Sequence, residues 1–338
     1  MRVALLAHEL FPDRAKTAVG VLRYADHEVV AVLDRTRAGE RVADHLPDVQ
    51  DAPIVAGIDD VDESLDALIV GIAPIGGGFD ESWRPDVAGA LERGCDVFAG
   101  LHYFLGDDEE FAALADANDC RLWDVRRPPA DLTVAEGRAG EVAADVVLTV
   151  GTDCSTGKMT TTMELVERAR ERGIDAAVVP TGQTGILVEG WGIAVDRTVS
   201  DFTAGAVERM VRERGDDHDL LVVEGQGAIT HPAYSAVTCG ILHGAMPDAL
   251  VLCHEAGREA VHGYESFPIP DPSRHVALYE DLAAPVSEAP VVAGSLNTSG
   301  VADDAAARAA VSAFGDAIDA PATDPVRFGS DTVLDAVR

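Results

Sequence analysis

Short apolar runs, unbroken by polar residues and separated by amphipathic stretches, recur along the first third of the chain. Arg2–Ala7, Val29–Leu33, Ala67–Ile72 and Asp96–Ala99 read as strands. Glu81–Arg93 and Asp107–Asn118 space their apolar residues as helices do and carry acidic residues at their starts. Strands without polar alternation, interleaved with helices, predict a parallel sheet covered on both faces. A break follows at Asp-Val-Arg-Arg-Pro-Pro (124–129), where adjacent prolines cannot continue regular structure. The pattern then restarts. Val146–Val150, Ala176–Val179, Leu220–Val223, Ala249–Cys253 and Val291–Ala293 read as strands, and Met159–Arg172, Thr203–Arg214 and Asp303–Ile318 as helices. Gly173 is placed to stop the first of these helices. The expected fold class is α/β in two domains, 1–127 and 128–338, each a mostly parallel sheet with helices on both faces.

Composition narrows the setting. Hydrophobic residues make up 47% and charged residues 25%, enough apolar content for packed cores. Asp and Glu number 59 against 26 Lys and Arg, giving a formal net charge of −33. Such a field repels phosphodiester backbones, so nucleic acid is not an expected partner. No apolar run reaches the roughly 18 residues of a membrane helix, and the start of the chain turns polar too soon for a signal peptide. A cytoplasmic protein is expected, with small molecules and at most further copies of itself as partners. Lysine occurs only at Lys16 and Lys158, all other fixed cations being Arg, and an acid-rich, lysine-poor surface suits a cytosol of very high salt. The five cysteines include no Cys-x-x-Cys pair, so neither a disulfide framework nor a zinc site is expected, and no metal ligands are assigned.

Scarce lysine draws attention to Lys158, which lies in Gly151-Thr152-Asp153-Cys154-Ser155-Thr156-Gly157-Lys158-Met159-Thr160 between a strand and a helix. Glycines allow tight turning, main-chain N–H groups converge, and the following helix aims its positive end at the same point. This is the construction of a phosphate cradle, with five residues rather than four between the first glycine and Gly-Lys. Enzymes that transfer phosphoryl groups place Ser or Thr directly after the lysine to hold Mg²⁺. Met159, a thioether, stands there instead, although Thr160 or Thr161 is near enough in sequence to supply an oxygen. The cradle therefore suits phosphates that are bound but not transferred, as in coenzyme A. A nucleoside triphosphate with Mg²⁺ is the alternative.

Gly-Thr-Asp-x-x-x-Gly-Lys resembles the loop of dethiobiotin synthetase and its P-loop relatives, and Leu220-Leu-Val-Val-Glu224-Gly-Gln-Gly resembles their second, acidic motif. The two domains are accordingly expected to be Rossmann-like, then P-loop NTPase-like. A narrower resemblance covers nearly the whole chain. It is carried by Asp-Val-Arg-Arg-Pro-Pro, the cradle, Pro-Thr-Gly-Gln-Thr-Gly (180–185), Val-Glu-Gly-Gln-Gly-Ala-Ile-Thr-His-Pro-Ala-Tyr (223–234) and Ser-Leu-Asn-Thr (295–298). These resemble the family long known only as a domain of unknown function, whose characterised member is a D-glutamate N-acetyltransferase. The resemblance implies acetyl-CoA as donor and a D-amino acid, D-glutamate first, as acceptor; the alternative remains an ATP- and Mg²⁺-dependent ligase or kinase of the dethiobiotin synthetase type.

Acetyl transfer to an amine needs a base, a grip on the acceptor's carboxylates and donors for a developing oxyanion. His231 or Glu224 is the expected base, both following the strand at 220–223. Gln183 and Thr184 are expected to bind the acceptor, with Thr181 assisting, and Arg258 is a candidate carboxylate or phosphate fork. Asn297, beside Ser295 and Thr298, is expected at the cofactor's adenine. Cys154 at a helix start reads as a lowered-pKa nucleophile or, preferentially, as a small cradle residue. In the first domain Asp34 is a weak candidate for a ribose, and Gly76-Gly77-Gly78 for a substrate lid.

Overall fold

A computed structural model describes residues 1–72 and 77–338. The chain divides into two units, Met1–Pro128 with Gln183–Arg197, and Pro129–Gly182 with Thr198–Arg338. The stretch 183–197, expected from sequence within the second domain, thus packs with the first. The reason is visible in its first helical turn, where Thr184 Oγ1 lies 2.9 Å from Thr17 Oγ1 in a buried contact. Local patterning sets an element's period but not which sheet it covers.

The first unit holds β1 (Arg2–Leu6), α1 (Lys16–Tyr24), β2 (Glu28–Leu33), β3 (Ile54–Val55), β4 (Ala67–Val70), α2 (Arg84–Glu92), β5 (Asp96–Ala99), α3 (Glu109–Asn118) and β6 (Leu122–Asp124). The strands form one parallel sheet in the order β3-β2-β1-β4-β5-β6. Because the order reverses between β1 and β4, right-handed crossovers put helices on both faces, the Rossmann-like arrangement. Asp108 caps α3 by accepting from the N–H groups of Glu110 and Phe111, which is why an acidic start marked this helix in the sequence.

The second unit begins with β7 (Asp145–Gly151), α4 (Lys158–Glu171) and β8 (Ala176–Val179); α5 (Gln183–Glu189) belongs to the first. There follow α6 (Thr203–Arg214), β9 (Leu220–Val223), α7 (Ser235–Ala245), β10 (Ala249–Glu255), a small antiparallel hairpin of β11 (Ala260–Val261) and β12 (Tyr264–Pro268), and α8 (Pro272–Ala283). The unit closes with β13 (Val291–Asn297), α9 (Asp304–Ile318), β14 (Ala322–Thr323), α10 (Pro325–Phe328) and α11 (Asp331–Ala336). The parallel sheet runs β14-β13-β10-β7-β9-β8. All four residues of β9 are buried, as two covered faces require, and each such side chain contributes about 1.5–3 kcal/mol by leaving water. Since β7 lies between β9 and β10, the loops after these three strands converge at one carboxyl edge. No helix among the described residues is long and apolar enough to cross a membrane.

Gly225, which leaves β9, passes so close to β7 that a Cβ there would lie 1.8 Å from the carbonyl oxygen of Thr149. Gly225→Ala is therefore expected to destabilise the protein by about 3 kcal/mol or more in denaturant melts. Gly173 leaves α4 with φ +76° and nothing near its Cβ position, so Gly173→Ala is expected to cost only about 1 kcal/mol.

Candidate active site

The loop from Gly151 to Gly157 joins β7 to α4 with two residues in the left-handed region, Ser155 at φ 54° and Gly157 at φ 97°. The second immediately precedes α4, so the turn that starts the helix also aims its first N–H groups into the loop. Lys158 is buried, and its Nζ donates to the carbonyl of Asp153 at 2.8 Å, as Thr156 Oγ1 does at 3.2 Å. The ammonium thereby arches over the loop it terminates.

Asp153 organises what surrounds it. Its carboxylate has no solvent exposure. Oδ1 accepts from Cys154 N at 2.7 Å; Oδ2 accepts from Arg258 Nη1 at 3.1 Å and His262 N at 2.8 Å. Arg258 also donates to the Cys154 carbonyl at 2.6 Å and pairs with Glu255. His231 Nε2 stands 3.9 Å from Oδ1 on the other side. One buried carboxylate therefore ties the cradle to the turn of the β11–β12 hairpin and faces the loop after β9.

The protons of the surrounding imidazoles are set by their partners. His231 Nδ1 accepts from Ala233 N at 3.1 Å, which leaves the ring proton on Nε2, facing Asp153. Burial, with a smaller contribution from Lys158, pulls its pKa below the usual histidine value despite Asp153. His254, near the end of β10, has Nδ1 2.7 Å from Thr152 Oγ1 and stacks on Phe314. Burial foremost, then His275 and Arg258, push its pKa down to about 4. Tyr279, fully buried, donates to the Gly151 carbonyl at 2.7 Å and accepts from Ile229 N at 3.1 Å, bracing the cradle against the loop after β9. Sequence reading missed Tyr279 and His275, although His275, Tyr279 and Ala283 are buried at a four-residue spacing on a helix that Pro272 opens.

The expected site residues separate into groups. Gly151 to Lys158, His231 and Arg258 come together around Asp153. Glu224 is buried near them, with Oε2 accepting from Thr181 N at 3.3 Å and Gly182 N at 3.1 Å. Gln183 and Thr184 belong to the first unit, where the Thr184 hydroxyl is occupied by Thr17. Asn297 ends β13 beside Glu255, its side-chain oxygen accepting from Ser299 N at 3.0 Å, a turn-forming role. Ser295 bonds Thr161 at 2.7 Å and Thr298 bonds Asp324, so both point inward. In the first unit the Asp34 carboxylate accepts from Glu9 N and Thr36 N and is committed to its own loops. Gly76 of the expected lid lies outside the described residues.

Asp153, Cys154 and His231 have donor atoms within 4.8 Å of one another, the spacing of a metal-ligand set. As arranged, the cation facing Asp153 is the Arg258 guanidinium, and the His231 nitrogen turned toward the cluster carries its proton. The cluster is thus arranged as a hydrogen-bonded anchor.

A parallel sheet with a glycine-lysine cradle at its carboxyl edge, following a Rossmann-like unit, defines a two-domain P-loop protein. The family is narrower. Residues 133–334 match the family described as "Domain of unknown function (DUF1611_C) P-loop domain", and residues 35–128 match "Domain of unknown function (DUF1611_N) Rossmann-like domain"; the chain belongs to this family. It is similar to a protein of Tritonibacter scottomollicae named D-glutamate N-acetyltransferase, 37% identical and covering 80% of each chain. A Pseudoalteromonas protein of the same name is 35% identical over 79% of this chain and 80% of its own. Among solved structures, a DUF1611 family protein from Anabaena variabilis matches with TM-score 0.94 and 39% identity, covering 99% of this chain and 98% of that one.

The low pKa of His254 sets a pH dependence. Unfolded, the ring binds a proton near its ordinary value of 6.5; folded, it resists until about 4. The stability it preserves is complete above pH 6.5 and is lost as the pH falls toward 4. His231 and His275, also lowered by burial, act in the same direction. In chemical denaturation at pH 7 and pH 4.5, His254→Gln is expected to reduce the acid-induced loss of stability by about 2.5 kcal/mol relative to the parent.

Proposed function

We propose that this chain transfers an acetyl group from acetyl-CoA to the amine of D-glutamate, with the coenzyme's pyrophosphate held by residues 151–158. The observation that carries the reading is a glycine-lysine cradle in which Met159, not a hydroxyl residue, directly follows the lysine. The names of the relatives at 37% and 35% identity support the reaction class and acceptor. Bound acetyl-CoA would supply an acetyl thioester already activated for transfer.

The residues fit phosphates without a metal hydroxyl. Met159 is buried, and the Thr161 hydroxyl is taken by Ser295. What the loop offers an anion is the start of α4, the Lys158 ammonium and, at its rim, Arg258. His231, neutral with its proton on Nε2, serves as a hydrogen-bond donor. As a base it would first have to give up the N–H of Ala233. Glu224 is the base in this reading, a buried carboxylate just after β9 whose Oε2 accepts from the N–H groups of Thr181 and Gly182, and it takes up the acceptor's ammonium proton.

Acetyl-CoA and CoA are expected to raise the melting temperature without Mg²⁺, and Lys158→Ala to weaken their binding roughly tenfold to a hundredfold. Thiol release should depend on D-glutamate and need no ATP. Stabilisation by ATP with Mg²⁺ but not by acetyl-CoA, or no CoA release across a panel of D- and L-amino acids, would sink the proposal in favour of the ligase or kinase alternative.

A further inference from the structure

Among the described residues only two Lys or Arg side chains fall in the buried class, Lys158 and Arg126, each 7% exposed. Lys158 is accounted for by the cradle. Arg126 belongs to the Asp-Val-Arg-Arg-Pro-Pro stretch and follows β6 at the carboxyl edge of the first unit's sheet, the edge where such sheets bind ligands. A guanidinium withdrawn from water in a chain of net charge −33 is costly unless its donors are matched. Nε donates to the Gly100 carbonyl at 2.7 Å. Nη1 donates to His102 Nε2 at 3.1 Å and to the carboxylate of Asp196. No hydrogen bond from Nη2 is formed among the described residues.

Three further observations converge on the same spot. Gln183 lies directly against Gly100, where a Cβ would come within 2.8 Å of Gln183 Cγ, so the glycine is what lets this amide sit at the end of β5. His102 must accept from a permanent donor and is therefore neutral; burial, then Arg126, lower its pKa. Arg197 stacks on Phe104 at 5.3 Å, as does Arg127 at 4.2 Å, the latter with its charge paired to Asp107 and Asp124. Asp196, whose side chain is 37% exposed, stands on the same segment as Gln183 and shows what the fork accepts: a carboxylate.

We infer that Arg126, with His102 and Gln183, forms a carboxylate subsite of the first unit that recognises the side-chain carboxylate of an acidic amino acid, Asp196 occupying the fork as an internal competitor. This rests on the proposed function for the identity of the acceptor. Arg supplies planar, two-pronged recognition that Lys cannot reproduce. A site built to pair a charged group rejects an isostere that lacks the charge.

Equilibrium calorimetry with D-glutamate and D-glutamine tests the subsite without relying on turnover. The parent is expected to prefer D-glutamate. Arg126→Gln should lose D-glutamate affinity roughly tenfold or more while D-glutamine binding is unchanged, with Arg126→Lys in between. Asp196→Asn should bind D-glutamate severalfold more tightly, because the competitor is gone. This second variant decides the matter if Arg126→Gln does not fold, as its melting profile would show. Unchanged D-glutamate affinity in the folded variants, or a parent that does not discriminate the two ligands, overturns the subsite. Calorimetry of CoA on the same proteins judges the acetyl-CoA reading separately.

Discussion

Asp153 is a carboxylate with no solvent exposure inside a loop whose amides and ammonium are arranged for an anion. Alone it would repel any anion brought to the loop, and its desolvation would cost several kcal/mol. The structure offsets both with a guanidinium from beyond β10, a backbone N–H from the hairpin and a backbone N–H of the cradle itself. The consequence reaches past the loop. Arg258 is held where it faces both the carboxylate and the Cys154 carbonyl, so the rim of the cradle gains a cation without surface lysines. Tyr279 supplies a second brace from the opposite side, one hydroxyl joining Gly151 to Ile229. The cradle's shape therefore depends on three segments distant in sequence.

A strongly acidic chain has a general difficulty with acidic ligands. Its surface carboxylates lower the local concentration of anions around it. Cations buried at strand ends sit in low dielectric and fixed geometry, where a single charge counts for more than several on the surface. Lys158 starts the helix after the interior strand β7, and Arg126 lies two residues beyond the edge strand β6. The surface arginines, by contrast, are largely engaged in exposed ion pairs such as Arg168–Asp331 and Arg41–Asp51, which contribute little to stability or recognition.

Much of the fold was legible because the strands are buried on both faces and therefore appear as unbroken apolar runs; β5, β8 and β9 coincide with theirs residue for residue. The cradle was legible because its chemistry is local, confined to consecutive residues between a strand and a helix. Elements whose signal lies elsewhere were not. The β12 strand is exposed along its whole length and has no apolar side to read. The α1 and α7 helices carry internal glycines and β-branched residues that weaken a helical pattern. The assignment of 183–197 to the first unit, the burial of Asp153 and the partners of Arg126 arise from contacts between residues far apart in sequence, which no local period encodes.

The hydroxyls near the start of α4 show how the second unit divides its polar groups between structure and ligand. Thr162 donates back to the Lys158 carbonyl and sits 3.0 Å from Thr149, while Thr161 is paired with Ser295 and approached by Cys253. These hydroxyls knit the helix to β7, β10 and β13 beneath the cradle, and Met159 fills the position ahead of them with an apolar side chain. A helix start built this way stiffens the floor under a bound anion and leaves recognition to amides and to the ammonium. If the loop holds a coenzyme's pyrophosphate as proposed, those groups bind its oxygens equally well before and after a reaction elsewhere on the ligand, the property required of an anchor for a handle that does not react.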